Sequence, residues 1–86
     1  MSFFNAVIPD LHTLYDTFTA PINLPKNTVN IIVNDVTSGT TLVLEDMSGN
    51  AVAHKNLAAR DEITGRWRRI IDTGTTLDEV IAQSVE

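Results

Sequence analysis

The residues of this chain best equipped for recognition chemistry lie in one short stretch. Of its six Lys and Arg residues, five (Lys55, Arg60, Arg66, Arg68 and Arg69) fall between positions 55 and 69. Arg66, Trp67, Arg68 and Arg69 are consecutive, so three guanidinium groups surround one indole. A guanidinium fork binds a carboxylate or phosphate through two parallel hydrogen bonds, and Trp adds a large, rigid contact area. The combination suits a protein interface. It also suits stacking on nucleic acid, or a solvated edge strand whose charges deter aggregation. Other chemistry is sparse. There is no Cys, which removes disulfides, thiolate metal ligands and thiol nucleophiles. His12 and His54 have no partner at ligand spacing, so both are expected to be structural, and neither a metal nor a cofactor is expected. Phosphate-binding glycine loops, dinucleotide fingerprints, zinc-protease helices and nucleophile elbows have no counterpart in the sequence.

The basic stretch is flanked by acidic sequence. Before His54 the chain carries Lys26 against Asp10, Asp16, Asp35, Glu45 and Asp46; after Arg69 it carries only Asp72, Asp78, Glu79 and Glu86. The formal net charge is −5 and the pI about 4.7, which argues against a general nucleic-acid binder. A chain acidic at both ends and basic between can meet a copy of itself, or another acidic surface, through complementary patches.

Eighty-six residues make one domain, 1–86. A domain this small buries only about 60–65% of its unfolded surface, so it gains from oligomerisation when disulfides and metals are absent. No apolar run is long enough to span a bilayer and no secretory signal is visible, which fits the cytoplasm or a particle assembled there.

Residues 1–27 read as an apolar N-terminal arm, a helix and a Pro-bounded linker. Phe3, Phe4, Val7 and Ile8 make the start strongly apolar. Leu11, Leu14, Tyr15 and Phe18 follow helical spacing, with Pro9 and Asp10 suited to the first turn. Pro21 and Pro25 hold residues 20–27 extended, as a linker laid on a surface; the arm either packs on the protein's own core or, with the linker's reach, inserts into a neighbouring subunit. Residues 28–72 read as an antiparallel β-meander, with strands over 28–36, 40–46, 51–55 and 66–71. Turns fall at Ser38 and Gly39 and at Ser48, Gly49 and Asn50. In the last strand Trp67, Arg69 and Ile71 share one face, and Arg66, Arg68 and Ile70 the other. Residues 56–65 fit either a helical turn or a loop. Residues 73–86 read as a C-terminal helix: Thr76 and Glu79 match a capping box, and Leu77, Val80, Ile81 and Val85 share a face. The expected fold is α+β: a small meander of three to four strands, barrel-like or sandwich-like, with an N-terminal and a C-terminal helix.

Two stretches resemble known families. Ile70 and Ile71 followed by Asp72, Thr73, Gly74 and Thr75 resemble the catalytic triplet of aspartic proteases. The resemblance implies Asp72 as a catalytic carboxylate working in a homodimer, where two such groups share a proton and activate water. The same residues also fit a strand end, a turn and a helix cap, and the flap and second apolar-apolar-Gly strand of that family are missing. The stretch from Leu42 to Trp67 resembles the hairpins of small β-sandwich modules in surface and virion proteins, such as bacteriophage decoration or cement-type accessory proteins. That resemblance implies a structural, non-enzymatic role. The reading is therefore a protein that binds copies of itself or a larger assembly, without membrane or nucleic acid. Phe3, Phe4, Val7 and Ile8 would be its apolar anchors, and Arg66, Trp67, Arg68 and Arg69 its polar ones. The alternative is a small acidic inhibitor or adaptor, of anti-defence or antitoxin type, whose carboxylates mimic nucleic acid. The dimeric protease is a remote third.

Overall fold

The computed structural model describes residues 10–85. They form eight strands: β1 (Asp10–Tyr15), β2 (Ile22–Asn23), β3 (Thr28–Asp35), β4 (Leu42–Asp46), β5 (Ala51–His54), β6 (Glu62–Thr64), β7 (Trp67–Ile71) and β8 (Glu79–Val85). Two four-stranded antiparallel sheets result, with strand orders β1-β8-β3-β6 and β2-β7-β4-β5. There is no helix among the described residues.

This corrects the expected α+β fold at three places. The predicted N-terminal helix is strand β1, paired with β8 from Asp10 opposite Val85 to Tyr15 opposite Val80. The predicted C-terminal helix is a loop followed by β8, the strand between β1 and β3. Its true period is two: Val80, Ala82 and Ser84 are buried, and Ile81 and Gln83 alternate with them. The meander is corrected as well. β3 and β4 are consecutive but belong to opposite sheets, so the only adjacent hairpin within 28–72 is β4 with β5. Residues 56–65, read as a helical turn or a loop, are a loop that ends in the short strand β6. Residues 20–27 are extended and laid against the second sheet: β2 pairs with β7, the Leu24 N–H donates to the Arg68 carbonyl at 3.0 Å, and Leu24 is buried.

The core lies between the sheets. β3 contributes Ile31 and Val33, β8 contributes Val80 and Ala82, and β4 and β7 contribute Leu42, Leu44 and Ile70, all fully buried. Ile63, Leu24 and Leu77 close its margins. Each large aliphatic side chain removed from water in this way stabilises the fold by about 1.5–3 kcal/mol before entropy is counted.

Two of the connections that carry the chain between the sheets, β3–β4 and β7–β8, are laced to each other. The Thr76 N–H donates to the Thr41 carbonyl at 2.9 Å, and the Thr41 N–H donates to Thr76 Oγ1 at 3.1 Å. The Asp78 N–H donates to the Asp35 carbonyl at 2.9 Å, and Asp78 Oδ2 accepts the Ser38 N–H at 2.7 Å. Gly39 is required here by space: a Cβ would collide with the Thr76 side chain and carbonyl.

Candidate interaction surface

The basic tetrapeptide does not form one surface. The β4–β7 register shifts between Glu45, opposite Arg69, and Asp46, opposite Trp67. Arg68 is therefore an extra residue, a β-bulge, and it reverses the facing of whatever precedes it. Trp67 turns inward with Ile70 and leaves the face shared by Arg69 and Ile71, contrary to the simple alternation. Its indole N–H donates to the Ile63 carbonyl at 3.3 Å, and its ring meets His54 edge-on at 5.3 Å between centroids. Trp67 packs against the core.

Arg68 and Arg69 converge on a single carboxylate. Glu45 Oε2 lies 3.7 Å from Arg68 Nε and 3.4 Å from Arg69 Nε. The Arg68 side chain is 53% exposed and the Glu45 side chain 15%, so one flank of this cluster is wet and the other closed. Arg69 Nε is buried and forms no aligned hydrogen bond, so its partner is the Glu45 charge. Arg66 is exposed just before β7.

Most carboxylates hold the protein's own backbone or amides. Asp35 accepts the Thr37 hydroxyl at 2.6 Å and its N–H at 2.9 Å, and the Thr37 hydroxyl, then its N–H, lowers the carboxyl pKa. Asp46 Oδ1 accepts the Asn50 and Ser48 N–H groups at 2.9 Å each, and its pKa is lowered, chiefly by the Asn50 N–H. Asp61 accepts the Ala58 N–H, Glu62 accepts Asn30 Nδ2, and Glu79 accepts Asn34 Nδ2. Asp72 follows β7; the Thr75 N–H donates to its carbonyl at 3.1 Å, and the Thr75 hydroxyl donates to the Ile71 carbonyl. The chain after this turn enters β8 in the other sheet.

The two His residues sit apart. His12 is exposed on β1 opposite Gln83. His54 is half-buried, its Nε2 is buried without a partner, and burial lowers its pKa. Burial raises the pKa of Tyr15. Among the described residues there is no group of three His, Cys, Asp or Glu that could hold a metal and no pocket, and no helix is long and apolar enough to cross a membrane. Phe3, Phe4, Val7 and Ile8 lie outside the described residues.

Some apolar side chains also face solvent. Among the described residues the exposed large hydrophobics are Leu11, Leu14, Met47 and Val52. Leu11 and Leu14 are on β1, an edge strand; Met47 and Val52 belong to the β4–β5 hairpin, whose second strand is also an edge. Sequence reasoning passed over them because Ala51, Val52 and Ala53 make an unremarkable strand and Leu11 and Leu14 fit a helix face. Only the strand order shows that these segments lie at sheet edges among the described residues. No family model, curated protein or solved structure matches this chain.

Proposed function

We propose that this protein is a non-enzymatic structural component that binds copies of itself or a larger assembly, most concretely a bacteriophage virion decoration or accessory protein. The observation that carries the reading is the placement of the exposed large apolar side chains among the described residues, each on an edge strand or the hairpin that ends in one. Edge strands with apolar side chains favour pairing with another chain. The carboxylates support the same reading against the acidic-mimic alternative. Asp35, Asp46, Asp61, Asp78, Glu62 and Glu79 each hold a turn or strand of the protein itself, a structural role that a nucleic-acid mimic does not require.

The interface would combine the apolar arm at Phe3, Phe4, Val7 and Ile8 with the exposed guanidinium groups of Arg66 and Arg68. Light scattering on the untagged protein, and mass spectrometry of density-purified phage particles from its source, test this. A discrete oligomer or a particle-bound fraction, lost on deleting residues 2–8 or on Arg66→Ala with Arg68→Ala, is the expected result. A monomer that fails to co-purify with particles and instead binds a basic protein tightly would overturn it in favour of the inhibitor. Alanine is preferred to charge reversal at Arg68, because a new carboxylate would face Glu45 and disturb the fold itself.

A further inference from the structure

The four sheet edges are not equally protected. β2 is two residues long and lies between Pro21 and Pro25, which cannot donate to a ladder. β6 is three residues long and carries the exposed Glu62. β1 adjoins residues 1–9, which lie outside the described residues. β5 is longer than either β2 or β6 and lacks the defences of composition. Its four residues, Ala51, Val52, Ala53 and His54, contain no Pro and no Lys, Arg, Asp or Glu, and its register with β4 is unbroken. Ala51, Val52 and Ala53 are all exposed.

The free backbone groups on this edge can be named. The Asp46 N–H donates to the Asn50 carbonyl, so even-numbered β4 residues face β5; the Val43 N–H donates to Thr75 Oγ1 on the other side. Pairing of Leu44 with Val52 and of Leu42 with His54 then directs the Val52 and His54 backbones at β4. The N–H and C=O groups of Ala51 and Ala53 point outward, and among the described residues nothing pairs with them.

We infer that β5 is a self-pairing edge: two copies join antiparallel through Ala51 and Ala53, with Val52 on the two-fold axis. Outward-facing residues must oppose each other in an antiparallel ladder. The register centred on Val52 sets Ala51 of each copy against Ala53 of the other and satisfies all the free groups of both in four hydrogen bonds. It also stacks the two exposed Val52 side chains across a closely spaced pair. Charge complementarity favours a second copy as the occupant. In this register Lys55 lies opposite Gly49 of the other chain, next to the turn built around the Asp46 carboxylate. Symmetry supplies that attraction twice, and no like charges meet. The outcome is one continuous eight-stranded sheet made from β2-β7-β4-β5 and its copy. The inference rests on the interaction-protein reading but uses neither the arm nor the Arg residues.

Four residues a side is well below the roughly 20–30 of a standard interface, so the dimer forms only as concentration rises. Sedimentation equilibrium of the full chain up to roughly 1 mM, where even weak contacts show, is the test. The expected mass climbs from 9.4 kDa towards twice that value. Val52→Lys places two ammonium groups on the axis, and Ala53→Pro removes an outward N–H that the monomer does not use; both should remain folded monomers at every concentration. Hydrogen exchange supplies a readout that no variant can confuse. In the wild type the Ala51 and Ala53 amides should slow as concentration rises, while those of Val52 and His54 stay unchanged. A mass fixed at the monomer, or exchange at Ala51 and Ala53 independent of concentration, overturns the inference. So does association that survives both substitutions. If such association is lost instead on deleting residues 2–8 or on Arg66→Ala with Arg68→Ala, the interaction reading stands and the β5 edge falls. Slowing of the two amides only on addition of an extended peptide, without self-association, would also overturn it.

Discussion

The two sheets close one core with different materials. The sheet of β2, β7, β4 and β5 brings large side chains inward: Leu42, Leu44 and Ile70, with Trp67 packed alongside. The sheet of β1, β8, β3 and β6 brings Ile31, Val33 and Val80, but also Ala82, Ser84 and Thr28, while Ile32 and Ile81 sit on its other face. Their outer faces differ as well. The first carries an ionic cluster of Glu45, Arg68 and Arg69. The second carries an amide-centred network in which Asn30 donates to Glu62 at 2.8 Å and to Gln83 at 3.2 Å and accepts from Thr64 at 3.3 Å. One sheet is held on the outside by charge, the other by short directional hydrogen bonds. The two should therefore answer differently to salt, to pH and to truncation.

The largest effect should come from the core that both share. Leu44→Ala removes a fully buried side chain from the sheet with the larger residues and should lower unfolding free energy by about 2–5 kcal/mol, read from denaturant midpoints. Next comes the amide network. Asn30 is 8% exposed and makes three side-chain hydrogen bonds, so Asn30→Ala should cost about 1–3 kcal/mol, equally at low and high salt. Glu45→Gln should cost less, about 0.5–1 kcal/mol, because Arg68 is largely in water. That loss should shrink near 1 M salt, where screening acts within about 3 Å. If Asn30→Ala proved the more salt-sensitive of the two, the contrast between the faces would be wrong.

The smallest effect is at His54. Burial lowers its folded pKa, so the folded state resists protonation more than the unfolded chain does. Its contribution is fully present above the unfolded value of about 6.5 and is lost as pH falls from there towards the folded pKa. Thermal melts from pH 7.5 to 5 should show this slope, and His54→Gln should flatten it. The depressed carboxyls of Asp35 and Asp46 act in a separate window, losing their contribution only below about pH 4.

Four strands were legible in the sequence, from β-branched residues over 28–36, alternation over 40–46 and 66–71, and the Ser-Gly turns: β3, β4, β5 and β7 lie within the predicted segments. β8 was not, because its inward positions include Ala82 and Ser84 while Ile81 lies on the opposite face, so hydrophobicity traced a helix where burial traced a strand. β1 misled for a related reason: Leu11 and Leu14 fit helical spacing but occupy opposite faces of an exposed edge. The assignment of strands to sheets depends on pairings between distant residues, such as Ile31 with Ala82, that no local pattern encodes. The candidate surface was half legible. The guanidinium cluster could be seen, but the bulge at Arg68, which takes Trp67 out of it, and the open edge at β5 could not.

The place of β8 in its sheet has a consequence for how the protein is made. It lies between β1 and β3, yet of the eight strands it is synthesised last. A nascent chain that stops before Glu79 has neither neighbour for β1 nor the main partner of β3, and half of the sandwich has nothing to assemble around. Folding should therefore wait until translation has passed Val85 and the segment has cleared the ribosome, instead of proceeding strand by strand. Until then Ile31 and Val33 lack their partners Ala82 and Val80, and a chain truncated before Glu79 should be open to proteolysis.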